Sequence, residues 1–226
     1  TACNKNRSDY PNLQGKKLLV YVAFHEDETK PLLEGFKQKT GCEYSLLRFP
    51  TGEALARAME EKTAPKADVF LGGTVDAHEY MKKEGIIEKY ISKNASYISD
   101  RYKDKDGYWT GLYIEALSIG INKERWDAEF KSKGIKQPEN FQDLLNPAFK
   151  GEIIIPNPKT SGTGYTFVSY LVQSMGKKKA LEYLGKLNHN VAQVTTNGLT
   201  PAEKVGIGEY LIAVNFINQQ LIVKKS

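Results

Sequence analysis

Cysteine is nearly absent from this chain: its 226 residues include two, Cys3 and Cys42. Two thiols cannot supply a cysteine metal cluster, and no Cys-x-x-Cys occurs. Histidine is as scarce, with His25, His78 and His189. His-Glu-x-x-His and Gly-x-Ser-x-Gly are both missing, which leaves zinc-protease and hydrolase-elbow chemistry without support. The phosphate loop Gly-x-x-x-x-Gly-Lys-[Ser/Thr] is missing too. Gly162-Thr163-Gly164 lacks the third glycine of a dinucleotide fingerprint, so nucleotide hydrolysis is disfavoured. No apolar run approaches the roughly 18 residues of a membrane span. Neither sign of charge is in large excess: 32 Lys and Arg against 27 Asp and Glu give +5. No basic stripe interleaves with aromatics, which argues against nucleic acid as a partner. The longest basic run, Lys177-Lys178-Lys179, reads as a solvated helix face.

What is present is an ordinary globular composition, 40% hydrophobic and 26% charged, with a mean hydropathy of −0.48. The apolar run Leu18–Ala23 reads as a strand buried on both faces. A helix over 28–41 follows, with acids and Pro31 early and Gly41 as its left-handed cap. Ser45–Phe49 and Ala67–Leu71 are further strands, separated by a helix over Glu53–Glu61 that Thr51 caps. A helix ending near Gly85 completes an alternating α/β half. The second half repeats the style. Strands are expected over Tyr113–Asn122, Glu152–Pro156, Val191–Val194 and Tyr210–Phe216. Helices are expected over Asn140–Pro147, Thr163–Met175, Lys178–Leu187 and from Pro201. The turn-rich stretch 104–111 marks the boundary, giving a polar tether over 1–15, a first lobe over 16–110 and a second over 111–226.

Four strand-to-helix junctions carry small polar residues: Ala23-Phe24-His25, Pro50-Thr51-Gly52, Gly72-Gly73-Thr74 and the loop Thr160-Ser161-Gly162-Thr163-Gly164. Free backbone N–H groups and hydroxyls at helix N-termini after parallel strands favour anions. Thr195-Thr196-Asn197-Gly198 is a fifth candidate stretch. The two glycines of the 160–164 loop are expected to let a ligand approach the backbone. Single junctions of this kind also serve as plain helix caps. His78 reads as a helix-surface residue, His189 as a turn residue and Cys42 as a small buried thiol. His25 beside Glu26, Asp27 and Glu28 offers one or two metal donors at most, and acids there complement the helix dipole without any ligand. Tyr108 and Trp109 either pack the crossing or line a wall of the site.

Several strings resemble, in order, those of bacterial ABC-transporter solute-binding proteins, in the branch holding ferric-iron binders and binders of organic phosphates and phosphonates. They include Phe24-His25-Glu26, Asp106-Gly107-Tyr108-Trp109, Ile121-Asn122-Lys123, Thr160-Ser161-Gly162-Thr163 and Gly208-Glu209. The most specific is Asp143-Leu144-Leu145-Asn146-Pro147-Ala148-Phe149-Lys150-Gly151. The resemblance runs from Lys16 onward. It implies two α/β lobes of class II type closing like a hinge, an ABC permease as partner, a location in the periplasm or at the cell surface, and no catalysis. Two departures from the family pattern stand out. The iron binders' adjacent tyrosines are replaced in Ala213-Val214-Asn215-Phe216-Ile217-Asn218-Gln219, and their acidic ligand by Gly72-Gly73-Thr74. Family members also return to finish the first lobe with about 80–100 further residues, so that lobe is expected to be incomplete here. Strands near Leu18–Ala23 and Val69–Leu71 should then keep an open edge or face, and a dimer or swapped assembly would cover it.

The opening Thr1-Ala2-Cys3, followed by a polar stretch, resembles the cleavage end of a bacterial lipoprotein signal, which implies lipid on Cys3; an incidental cysteine is the alternative. The expectation is therefore a binder of a small anionic organic ligand, without cofactor. Its ligand groups are drawn from His25, Thr51, Gly52, Gly72, Gly73, Thr74, Thr160, Ser161, Gly162, Thr163, Thr195, Asn197 and Gly198. Ferric-iron transport is the first alternative, with His25 as a weak metal candidate. An α/β enzyme acting on a phosphorylated metabolite is the second.

Overall fold

A computed structural model describes residues 10–225, and Cys3 lies outside them. In the first half the apolar run forms β1 (Lys17–Val22), with Val20, Tyr21 and Val22 buried. It is followed by α1 (Glu26–Thr40), β2 (Glu43–Arg48), α2 (Thr51–Glu60), β3 (Val69–Leu71) and α3 (Val75–Lys83). The three strands are parallel in the order β2-β1-β3. The first strand is therefore central and paired on both sides, so it has no open edge, whereas Val69–Leu71, the other strand expected to keep an open edge or face, does lie at an edge of the sheet, as β2 does. Parallel neighbours explain why this run carries no polar alternation. Val20, Val22, Phe24 and Leu33 form its core with Leu18, Tyr44, Leu46 and Leu71. Gly41 closes α1 at φ 75°, where its N–H reaches the Lys37 carbonyl. Cys42 is buried and free of any disulfide.

Contacts divide the chain into two compact units that meet in sequence between Thr110 and Gly111. In the second unit, β4 (Leu117–Ile121) leads into a helical turn α4 (Lys123–Arg125) and short irregular turns. These are followed by β5 (Ile153–Pro156), α5 (Gly162–Met175), α6 (Lys177–Leu187), β6 (Val191–Thr195), α7 (Thr200–Gly206), β7 (Ile212–Phe216) and α8 (Ile217–Lys225). The sheet order is β4-β7-β5-β6, antiparallel only between β4 and β7. Every residue of β7 is buried, as the middle of a covered sheet requires. The long strand expected over Tyr113–Asn122 is cut to five residues. Its ladder ends where Leu117 meets Phe216, because beyond Phe216 the partner turns into α8. That last helix was not foreseen; the end of the chain reads as featureless because its apolar and polar residues are spread round the helix.

The string Asp143–Gly151 is structural. Asn140 and Asp143 form a reciprocal cap on the turn Phe141–Leu145, and the backbone N–H groups of Glu139 and Asn140 hold the Asp143 carboxyl below the usual range. Leu144 and Phe149 lie in the core beside Trp126, Phe130 and Phe167. The buried Asn190 amide ties the string down by donating to the carbonyls of Leu144 and Asn146 at 2.9 and 2.8 Å.

Candidate functional site

In the first unit, three junctions meet at one glycine. A Cβ on Gly73 would stand 3.1 Å from Thr51 Cγ2, 3.4 Å from Phe70 Cε1 and 3.5 Å from Ala23 Cβ. Gly72 and Gly73 both have φ near +82°, which L side chains rarely adopt. The consecutive glycines thus let the loop after β3 turn against the ends of β1 and α2. Thr51 is buried in the first turn of α2 and does not cap it, contrary to expectation. Pro50 holds the cap position and has no side chain that can accept, so the hydroxyl of Thr51 is not drawn into that role. Gly52 follows it in the same turn. Thr74 has extended backbone at the cap of α3, but its Oγ1 is buried without a hydrogen-bond partner.

His25 is occupied with its own helix: Nδ1 accepts the Asp27 N–H at 3.2 Å, capping α1. His78 is half-buried rather than solvated. Its Nε2–H donates to the Gly72 carbonyl at 2.8 Å, and its ring meets Phe70 edge-on at 5.3 Å. Burial lowers its pKa despite that carbonyl and Asp76. The reason for the departure from a surface reading is that α3 turns this side back over its own N-terminal loop. Nearby, Lys82 donates to Asp104 and Asp106, each at 2.7 Å, and Trp109 Nε1 donates to Glu79 at 2.6 Å. Trp109 therefore packs the 104–110 stretch onto α3.

In the second unit the convergence point is Gly198. A Cβ there would lie 2.5 Å from Thr163 Oγ1, 3.1 Å from Gln219 Nε2 and 3.2 Å from Ser161 Oγ. Ser161 and Thr163 are each 3% exposed, at the N-terminus of α5 with Gly162 between them. Gly164 has a different task from the one expected. Its Cβ would strike the Pro156 carbonyl oxygen and the Asn157 carbonyl carbon at 2.5 and 2.7 Å, so its missing side chain lets α5 approach the end of β5.

Other candidates are spent on holding loops. Thr160 Oγ1 donates to the Thr196 carbonyl at 2.6 Å, and Thr195 Oγ1 to the Asn197 carbonyl at 2.8 Å. The Asn197 side chain accepts from Leu199 and Thr200 N–H groups at 3.0 and 2.9 Å, organising the start of α7. Sequence reasoning missed Asn215 and Gln219. Asn215, wholly buried in β7, donates to the Gly198 carbonyl at 2.6 Å and fixes that loop. The junction from β7 to α8 carries neither glycine nor hydroxyl, so a search for small polar residues passes over it; an asparagine within an otherwise apolar strand was the available signal. Among the described residues, no group of three or more His, Cys, Asp or Glu side chains is placed to hold a metal ion.

The profile of the family described as bacterial extracellular solute-binding protein matches residues 64–226. An uncharacterized protein of Haemophilus influenzae is 33% identical over 220 residues, which are 95% of this chain and 62% of that protein. An Fe(3+)-binding periplasmic protein of Serratia marcescens is 23% identical over 85% of this chain and 54% of its own length. The chain thus spans between half and two thirds of these relatives. Among solved structures, the periplasmic binding protein AfuA from Actinobacillus pleuropneumoniae, with exogenous fructose-6-phosphate bound, superimposes with a TM-score of 0.88 at 31% identity. The match covers 94% of this chain and 67% of that one.

Proposed function

The chain belongs to the family of bacterial extracellular solute-binding proteins, and on that premise we propose that it captures a small organic anion outside the cytoplasmic membrane and hands it to an ABC permease. The observation that carries this reading is the convergence, within each unit, of separate strand-to-helix junctions on one glycine. Gly73 gathers the junctions of β1, α2 and α3, and Gly198 gathers Ser161, Thr163 and Gln219. Backbone N–H groups at helix starts, hydroxyls and an amide donate to anionic oxygens, and none of them is a nucleophile paired with a base. Binding and release without bond-making follow from such a set. The relatives are solute-binding proteins, not enzymes. A phosphoryl or phosphonate group on a small organic body fits these donors. No helix among the described residues is long and apolar enough to cross a membrane.

Ferric iron is the competing ligand, borne by the name of the Serratia relative. Thermal melts of the full chain with fructose 6-phosphate, 2-aminoethylphosphonate and ferric citrate separate the two. A ligand at about 100 times its dissociation constant stabilises the fold by about 2.7 kcal/mol. A shift of that size with ferric iron alone, in anion-free buffer, overturns the proposal.

A further inference from the structure

The glycine pair Gly72-Gly73 is held from outside its own loop. Both residues sit at φ 82°, and glycine has the most backbone freedom to lose. Thr74, at the cap of α3, makes no capping bond, and its buried Oγ1 has no hydrogen-bond partner. Among the described residues, the one hydrogen bond to the backbone of the pair runs from His78 Nε2 to the Gly72 carbonyl, at 2.8 Å. A carbonyl only accepts, so Nε2 carries the proton and Nδ1 of the neutral ring is bare.

That bond fixes a direction. A trans peptide is planar, and its C=O and N–H point to opposite sides. With the Gly72 carbonyl turned onto the imidazole, the Gly73 N–H faces away from His78, and no group among the described residues accepts from it. A hydrogen bond at one end of a peptide strengthens the donor at the other. An imidazolium pulls harder on the carbonyl than a neutral ring does. We propose that His78 is a positioning residue for the ligand: it turns the Gly73 N–H toward an anionic oxygen and takes up a proton when that oxygen arrives. This rests on the anion-binding reading above and adds the residue that aims one of its donors. Anion and proton then favour each other's binding by the same factor. The surroundings of the ring suit this role. It meets Phe70 of β3 edge-on, and Asp76 of α3 is the charged group that acts on it. Among the described residues, no charge on β3, on α2 or in the 104–110 stretch does so. Burial keeps the ligand-free ring neutral at pH 7.

Calorimetry on the full chain tests this with fructose 6-phosphate and 2-aminoethylphosphonate as probes. At about pH 7.5, where the ring is neutral, His78→Phe should bind the better probe at least about tenfold more weakly than the parent. His78→Gln restores an N–H donor and should stay within about threefold of the parent. At about pH 6, titration in buffers of different ionisation enthalpy counts the protons taken up on binding. The phosphoryl group, with its own pKa of about 6, contributes alike in every variant. The parent should therefore take up more protons than His78→Gln. Melting curves check that both variants fold. Three results each overturn the inference while the anion-binding reading stands: full affinity in His78→Phe, no rescue in His78→Gln, or equal proton uptake in the parent and His78→Gln. A parent chain that binds neither probe fails that reading itself, and this inference with it.

Discussion

His78 Nε2 donates to the carbonyl oxygen of Gly72 at 2.8 Å, reaching from the second turn of α3 back to the glycine pair that precedes it. The bond ties the Gly72-Gly73-Thr74 loop to a helix through a half-buried imidazole. The same ring rests edge-on against Phe70 at the end of β3.

Burial holds the His78 pKa below its ordinary 6.5, so the unfolded chain takes up the proton first as the pH falls. This contribution to stability is complete above pH 6.5, declines below it and levels off once the folded-state value is passed. Urea midpoints between pH 7.5 and 5 should show the decline, and His78→Gln, which keeps an N–H donor, should flatten it. A decline of equal depth in both proteins would count against His78. His78→Phe keeps a ring beside Phe70 but removes the donor, and should cost about 1 kcal/mol.

Gly73→Ala forces a left-handed conformation on an L residue at φ 82° and sets its Cβ 3.1 Å from Thr51 Cγ2. A loss of about 1–2 kcal/mol is expected. Gly164→Ala has no such torsional problem but meets backbone atoms of Pro156 and Asn157, and overpacking of this kind costs about 1–3 kcal/mol. Denaturant titration of each variant checks both. A neutral Gly164→Ala would show that α5 can back away from β5.

The hydroxyls around Gly198 should separate binding from folding. Ser161→Ala and Thr163→Val should weaken phosphate-ester binding by about 0.5–1.5 kcal/mol each, or 1.5–3 where the partner is charged. Their melting temperatures should stay near that of the parent chain. Thr160→Val loses the bond to the Thr196 carbonyl and should lower stability first. Reversal of this pattern would exchange the roles assigned to residues 160 and 161.

Lys82 bridges Asp104 and Asp106 at 2.7 Å each, and its pKa is raised by those two hydrogen bonds. Burial raises the Asp104 carboxyl, but the Lys82 ammonium and the Tyr108 N–H outweigh it and the net shift is downward. Lys82→Met and Asp104→Asn should each lower the urea midpoint, and the double variant should fall short of their sum. Additive losses would mean that the pair does not couple. Because the carboxyl is lowered in the folded chain, its contribution is present above its ordinary 3.8 and lost as the pH falls through the folded-state value.

The residues alone determined the α/β class and the positions of most elements. Period-2 and period-3.6 patterns, glycine caps and prolines are local signals, and β1, α1, α5 and α6 fall within a residue or two of them. They also determined the candidate loops, because small and hydroxyl residues at strand-to-helix junctions can be found by inspection. Tertiary structure decided which of those groups are already bonded within the chain. Thr160 bonds to the backbone of a neighbouring loop, Asn197 to the start of the helix that follows it, Gly164 makes room for Pro156, and His25 caps its own helix. It also brought in Asn215 and Gln219. A hydroxyl's partner can lie 36 residues away, as Thr196 does from Thr160. Whether a polar group is satisfied is therefore a property of the packed chain, because hydrogen bonding depends on distance and direction and composition carries neither.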